Sequence, residues 1–513
     1  MRAETKGVVK NSVSRLIFAA LSVLVQVVWI LHLLIRLNKY STWISLATSV
    51  LSFILVLHIY GREMNAGMKM PWIMLILLFP IMGVCLYLFC GHSSATKGMR
   101  KRFHATWERL RVYLQKDDTV MKKLKEQDVT AYHQCYYIGH KVGYPLYENT
   151  DVVFYKEAAD GFHAQIEEMK KAQKFIFMEY HAIEDREAFA EMKAVLFAKA
   201  KEGVEIRIVY DDVGSVGFIS PEFVKQMKTH GIDCRIFNPM MPVLNIFMNN
   251  RDHRKITVID GRVGFTGGYN LANEYFNITH PYGVWKDSGV RLEGEAVRSL
   301  TLIFMEMWNA IRSTDTEYEK YLPDGVFEAK GGGYIQPYAD SPLDRERVGE
   351  NVYMNIIKGA TEYVYFITPY LIISDEMKRE LGLAAKRGID VRIVTPGIPD
   401  KKLVYRLTRS YYAGLIRDGV RIYEYTPGFC HAKQCICDGK IATVGTINLD
   451  YRSLYFHFEN GVYLYDVPAI KDIREDFEEV FAVSTEVGNN YHTARSPLKR
   501  LGQYFLRLFA PLL

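Results

Sequence analysis

Apolar positions follow two patterns along the chain. In the first ninety residues they run together. Leu16 to Ile35 carries no charge between the flanking Arg15 and Arg36, and Trp43 to Tyr60 and Pro71 to Cys90 are two further runs of this kind. About 20 apolar residues in a helix cross the hydrocarbon core of a bilayer. The pattern therefore predicts three transmembrane helices, 16–35, 43–60 and 71–90, within a membrane anchor over residues 1–95. The first run is too long for a signal peptide and no small-residue cleavage site follows it.

Beyond residue 130 apolar residues come instead in short strands that alternate with amphipathic helices, and the pattern occurs twice. The first copy runs from the strand Lys174–Tyr180 through a helix over 187–201 to the strand Gly203–Val209. The second runs from Tyr363–Tyr370 through a helix over 376–387 to Gly388–Val394. Gly-Val-Glu-Ile-Arg-Ile-Val and Gly-Ile-Asp-Val-Arg-Ile-Val match almost letter for letter, and a Gly-led strand follows each, at Gly231–Phe237 and Gly419–Tyr423. This order predicts α/β layers on a mainly parallel sheet, with one domain over 131–312, a linker rich in Gly, Pro and acids over 313–347, and a second domain over 348–495. Residues 496–513 place Leu498, Leu501, Phe505, Leu508 and Leu512 on one helical face and Lys499, Arg500, Gln503 and Arg507 on the other. This is an amphipathic C-terminal helix suited to a membrane interface.

Composition narrows the class. The 49% hydrophobic and 24% charged content excludes disordered, collagenous and disulfide-scaffold proteins. Seven cysteines without a CxxC pair predict reduced thiols in a cytosolic compartment. The net charge of +6 is small, so its placement matters more than its size. Ten Lys or Arg against three Asp or Glu between Gly91 and Lys125, densest at Arg100, Lys101 and Arg102, mark a basic juxtamembrane segment over 96–130. Such a segment belongs on the cytoplasmic side, beside anionic lipid. Three crossings put the tail bearing Arg2, Lys6, Lys10 and Arg15 on the opposite side, against the same rule.

The candidate chemistry recurs at one place in each copy. His253, Lys255, Asp260, Gly267-Gly268 and Asn270 are matched, at identical spacing, by His431, Lys433, Asp438, Gly445-Thr446 and Asn448. On a strand, residues i and i+2 share a face, so each His projects with its Lys. Asp260-Gly261 and Asp438-Gly439 are two-residue hairpin turns, which gives both aspartates a structural place although they belong to the repeated motif. The returning strands bring small residues close to the site, and Asn270 and Asn448 offer amide donors. Two such units together make a cationic pocket without a carboxylate cluster, suited to a phosphodiester and to no metal. No P-loop, dinucleotide fingerprint or zinc pattern occurs.

These motifs resemble the paired HKD signatures of the phospholipase D superfamily, over about 365 residues. Within it the chain is most similar to bacterial cardiolipin synthases, through Pro71-Trp-Ile-Met, Gly267-Gly-Tyr-Asn-Leu-Ala-Asn-Glu-Tyr275, Ser410-Tyr-Tyr-Ala-Gly-Leu415 and Arg507-Leu-Phe-Ala-Pro-Leu-Leu513. It departs in having Gly-Thr for Gly-Gly in the second motif, and in the additional apolar run 16–35. The resemblance implies two pseudo-symmetric phospholipase-D-like α-β-α domains packed face to face behind the anchor. It implies catalytic residues His253, Lys255, Asp260, His431, Lys433 and Asp438, with His253 the nucleophile and His431 the acid/base. Asn270 and Asn448 join the lysines on the phosphate. Asp287, 34 residues after His253, and Glu459, 28 after His431, fall where the superfamily places the carboxylate that orients each imidazole. The implied reaction joins two phosphatidylglycerols into cardiolipin and glycerol without a cofactor, at the cell membrane and with the catalytic part cytoplasmic. The partners are the bilayer and phosphatidylglycerol, with no nucleic acid. A hydrolytic phospholipase D, a phosphatidylserine synthase, a nuclease and a non-catalytic membrane scaffold stay open as alternatives. Two further stretches admit either a lipid-facing or an ordinary packing role: the Met-rich Asn238–Met248, and Lys401, Lys402, Arg406 and Arg409 interleaved with Tyr405, Tyr411 and Tyr412.

Overall fold

The computed structural model describes residues 42–88, 94–239, 249–323, 327–488 and 497–508, with a few single positions between and before them. The chain order is β1 (Thr150–Tyr155), β2 (Phe175–Tyr180), β3 (Glu205–Asp211), β4 (Asp233–Phe237), β5 (Lys255–Ile259), β6 (Val263–Gly267), β7 (Val284–Lys286) and β8 (Gly289–Gly294). The second half follows with β9 (Tyr334–Asp340), β10 (Tyr363–Ile367), β11 (Leu371–Ile372), β12 (Asp390–Pro396), β13 (Arg421–Tyr425), β14 (Gly428–Cys430), β15 (Gln434–Cys437), β16 (Ile441–Gly445), β17 (Leu449–Asp450), β18 (Glu459–Tyr465) and β19 (Ser484–Glu486). A seven-stranded sheet has the order β1-β8-β6-β5-β2-β3-β4, and an eight-stranded sheet the order β19-β13-β12-β10-β15-β16-β18-β9.

The repeat read from the sequence is real, but its sheets are mixed rather than mainly parallel. Within these two sheets only β2-β3-β4 and β10-β12-β13 run parallel. The hairpins β5–β6 and β15–β16 and the strands around them pair antiparallel. The reason is the two-residue turn inside each motif, which forces the chain back beside itself. Helix Val297–Ile311, buried along nearly all its length, fills the space behind the first sheet. The main apolar core runs through both halves and includes Phe177, Ile256, Leu300, Trp308, Ile335, Val364 and Phe458, while a second cluster around Met178, Phe189 and Ile208 lies in the first half.

Three boundaries differ from expectation. Strand β9, all of it buried, lies inside the stretch expected to be a linker, and it closes the second sheet by pairing with β18. The basic segment is not free in solvent, because helix Ser94–Leu110 sends Met99, Phe103 and Leu110 into the main core. Phe103 stacks on Phe458 with ring centroids 4.8 Å apart. Among the described residues no helix is long and apolar enough to cross a membrane. The first predicted span, 16–35, lies mostly outside the described residues. The second corresponds to helix Thr42–Tyr60. The third is two helices, Ala66–Leu78 and Pro80–Leu86, because a residue before proline is driven out of helical geometry and Phe79 takes φ −133 and ψ 74. The Met-rich stretch is outside the described residues from Met240 to Met248.

The stacked pair under the basic helix gives a stability test. Phe103→Ala should cost roughly 3–5 kcal/mol by leaving a cavity against Phe458, read as a lowered Tm in detergent. The neighbouring exposed Arg102→Ala should leave Tm nearly unchanged.

Candidate active site

Each motif is built around its turn. Asp260 and Gly261 both have positive φ (52 and 68), as do Asp438 and Gly439 (50 and 67), the geometry of a type I′ hairpin. The carboxylate of Asp260 accepts N–H groups from Gln173, Lys174 and Phe175 at 2.8 Å each. That of Asp438 accepts those of Thr361, Glu362 and Tyr363 at 2.7–2.9 Å. Both aspartates therefore tie the hairpin to the start of the neighbouring strand, at the end of the hairpin away from the histidines. Their inclusion in the catalytic set is corrected accordingly: their contacts are structural.

The histidines lie just before their strands, and their backbone pairs across the two halves. His253 N–H donates to Phe458 O at 2.9 Å and Phe458 N–H to Arg251 O at 2.8 Å. In the other direction β14 runs parallel to β7, and His431 N–H donates to Lys286 O at 2.7 Å. The carboxylate that follows each of these segments is thus delivered to the opposite half. His253 Nδ1 lies 2.9 Å from both oxygens of Glu459, and His431 Nδ1 lies 2.6 Å from Asp287 Oδ2. Asp287 and Glu459 are the two carboxylates expected to orient the imidazoles, and the structure shows that each serves the ring of the other half.

Close approach makes the small motif residues necessary. A Cβ on Gly268 would fall 2.0 Å from Asp287 Oδ1. At the equivalent position Thr446 has a use, since its hydroxyl donates to Glu459 Oε2 at 2.5 Å. Asn270 Nδ2 donates to Tyr275 OH at 2.7 Å, and Asn448 Nδ2 to Asp450 at 3.1 Å. The two amides brace their loops while each keeps a second N–H.

Burial governs the charges. It lowers His253 to about 3 against the pull of Glu459, and lowers His431 to about 3 together with the adjacent Lys433. Both rings are therefore neutral at pH 7, with Nδ1–H directed at a carboxylate and Nε2 carrying the lone pair. Burial opposes charge on Glu459 and Asp287, but contact with His253 in one case and with His431 and Lys433 in the other outweighs it, and both stay below the usual carboxylate range. Burial also lowers Lys255 to about 7 and Lys433 to about 8. Lys255 Nζ donates to His253 O at 2.6 Å. Lys433 Nζ likewise donates to His431 O, and it also lies on the His431 ring, 2.7 and 3.0 Å from its two nitrogens.

A sequence model described as "Cardiolipin synthase, PLD-like domain" matches residues 165–308 and 353–481, and one described as "Phospholipase D-nuclease N-terminal" matches 50–92. "Cardiolipin synthase 2" of Bacillus cereus is 32% identical over 91% of this chain and 90% of its own length. The chain belongs to the cardiolipin synthase family. A cardiolipin synthase of Alkalihalophilus pseudofirmus is 31% identical over 89% of this chain and 91% of its own length. An uncharacterized protein of Streptococcus mutans is 40% identical over 89% and 99%. In fold, the chain is similar to phosphatidylserine synthase of Haemophilus influenzae, with a TM-score of 0.56 at 14% identity, over 71% of this chain and 95% of that one.

Several residues of this site were not read from the sequence. The rings of His181 and His457 lie 5.1 and 5.5 Å from that of His253, whereas Trp285, Tyr275 and Phe429 surround His431 at 5.1–5.8 Å. His457 and Trp285 each stand two residues before a paired carboxylate, the one signal that points to them. Among the described residues, His253, His457 and Glu459 have ligand-type atoms within 4.8 Å of one another. Glu459, however, is already engaged by His253 and Thr446. In the basic and aromatic stretch from Lys401, Arg409 pairs with Glu424 at 2.9 Å and Tyr411 and Tyr412 are buried, while Lys401, Lys402 and Arg406 are exposed.

Two outcomes follow from this geometry. Gly268→Ala should lower kcat about 100-fold by displacing Asp287 from His431, measured as product formation at saturating lipid. An ammonium is charged below its pKa, so kcat/KM should fall as pH rises through about 7 to 8, and Lys255→Arg should move that limb to higher pH in the pH–rate profile.

Proposed function

We propose that the protein is a cardiolipin synthase that moves a phosphatidyl group from one phosphatidylglycerol to another. The observation that carries this reading is the pair of neutral imidazoles, each held at Nδ1 by a carboxylate of the other half, beside two buried lysines. Nothing in the reaction calls for a cofactor, a metal or a nucleic acid.

In the first step His253 Nε2 attacks phosphorus of the first phosphatidylglycerol, the P–O bond to the headgroup glycerol breaks, and His431 gives that oxygen a proton. His431 acquires this proton when the anionic phosphodiester enters and offsets the charge of Lys433. In the second step the now neutral His431 takes a proton from the headgroup hydroxyl of the second phosphatidylglycerol. Its oxygen attacks phosphorus, the P–N bond breaks, and cardiolipin forms while His253 returns. Lys255, Lys433 and the free N–H groups of Asn270 and Asn448 hold the equatorial oxygens. The lysines support this division of labour: both bond the backbone carbonyl of their histidine, but Lys433 also lies against the imidazole of His431, while Lys255 leaves His253 Nε2 for attack.

The substrate is a bilayer lipid, and the reading places the enzyme at the cell membrane with its catalytic body cytoplasmic. Leu46, Val50, Phe53, Ile54 and Leu57 on helix Thr42–Tyr60 are exposed, as a lipid-facing helix requires.

Lipid analysis of the reconstituted protein given phosphatidylglycerol alone tests the reading. Cardiolipin and glycerol should form in equal amounts, and His253→Ala should form neither. Phosphatidic acid in their place would make the protein a hydrolase.

A further inference from the structure

The junction between helices Thr42–Tyr60 and Ala66–Leu78 is held against the catalytic body. Asn65 Nδ2 donates to Glu376 at 3.1 Å and to Tyr455 OH at 3.4 Å, and Asn65 Oδ1 accepts from Tyr451 OH at 3.3 Å. Glu63 pairs with Arg345 at 3.2 Å, and Met68 packs on the main core. After the break at Phe79 the chain turns back on itself. A Cβ on Gly83 would fall 2.6 Å from Ile76 Cα, and Ile76, Val84 and Tyr87 form a small buried cluster with Ile59. Arg62 Nη1 donates to Tyr87 OH at 2.9 Å. The chain therefore leaves this hairpin beside the place where it entered. Helix Ser94–Leu110 then joins the same core that Met68 touches.

Lengths allow no other route. Thirteen helical residues rise only ~20 Å, against ~30 Å of hydrocarbon. The six peptide links from Leu88 to Ser94 reach at most ~22 Å, too short to return from the far side of a bilayer.

We propose that residues 66–88 form a re-entrant hairpin, inserted into the single leaflet that faces the catalytic body and contributing no crossing. Its partner is the acyl layer of that leaflet, met by the exposed Met70, Met74, Leu77, Leu78, Phe79 and Leu88. The patch continues into helix Pro497–Leu508, which packs beside Ala66–Leu78 and exposes Leu501, Tyr504 and Phe505. The proposal rests on the reading of this chain as membrane-bound.

Labelling with a membrane-impermeant maleimide, in everted and right-side-out vesicles and without detergent, tests it. Cysteines are placed at Glu63, at Phe79 and, as the catalytic-side reference, at Lys171, and the unsubstituted protein serves as the blank. Glu63→Cys should react in the same vesicles as Lys171→Cys and lose its labelling in the opposite ones, and Phe79→Cys should stay unlabelled in both. Glu63→Cys reacting from the face opposite to Lys171→Cys would overturn the hairpin while leaving the membrane reading intact. Phe79→Cys labelled as readily as Glu63→Cys would overturn insertion into lipid altogether. Independently of vesicle orientation, a short bismaleimide should join Glu63→Cys to Arg345→Cys within one chain. Absence of that crosslink would also count against the proposal.

Discussion

Each half of this protein holds the other half's imidazole. A histidine sunk among apolar and cationic groups is useful only if its proton stays on the far nitrogen, and the crossed carboxylates Glu459 and Asp287 provide that. The other site features follow from this requirement. Backbone pairing of His253 with Phe458 and of His431 with Lys286 brings the segments together, and the bareness of Gly268 makes room for one carboxylate. Thr446 restrains the other. The continuous core through both halves keeps the two loops in register.

The same burial that fixes the geometry also tunes the chemistry. It leaves the imidazoles unprotonated and brings both lysines near neutrality in pKa, so the charge of the pocket responds to what enters it. The surroundings of the two rings differ. His253 has imidazole neighbours, while His431 stands among Trp285, Tyr275 and Phe429. The two halves therefore share a scaffold and differ in polarity where they meet substrate.

Much of this was legible in the sequence because it is local. Strand and helix periods, the Asp-Gly turns and the doubled spacing of His, Lys and Asn each depend on residues a few positions apart. The structural place of Asp260 and Asp438 could be read from the turn alone. What could not be read depends on contacts between distant segments. Asp287 and Glu459 could be named from the sequence, but which histidine each one holds is decided by which loops meet across the halves. Strand β9 was hidden in a stretch whose Gly and Pro suggested a linker, because only β18 makes Tyr334–Asp340 a strand. The third apolar run had the length of a span, and Pro80 was the local sign that it breaks.

The crossing also sets an order of assembly during synthesis. His253 leaves the ribosome 206 residues before Glu459, and it lacks its partner for all of that interval. Asp287, made early, waits 144 residues for His431. A growing chain therefore lacks the carboxylate that holds the His253 ring until Glu459 has been translated.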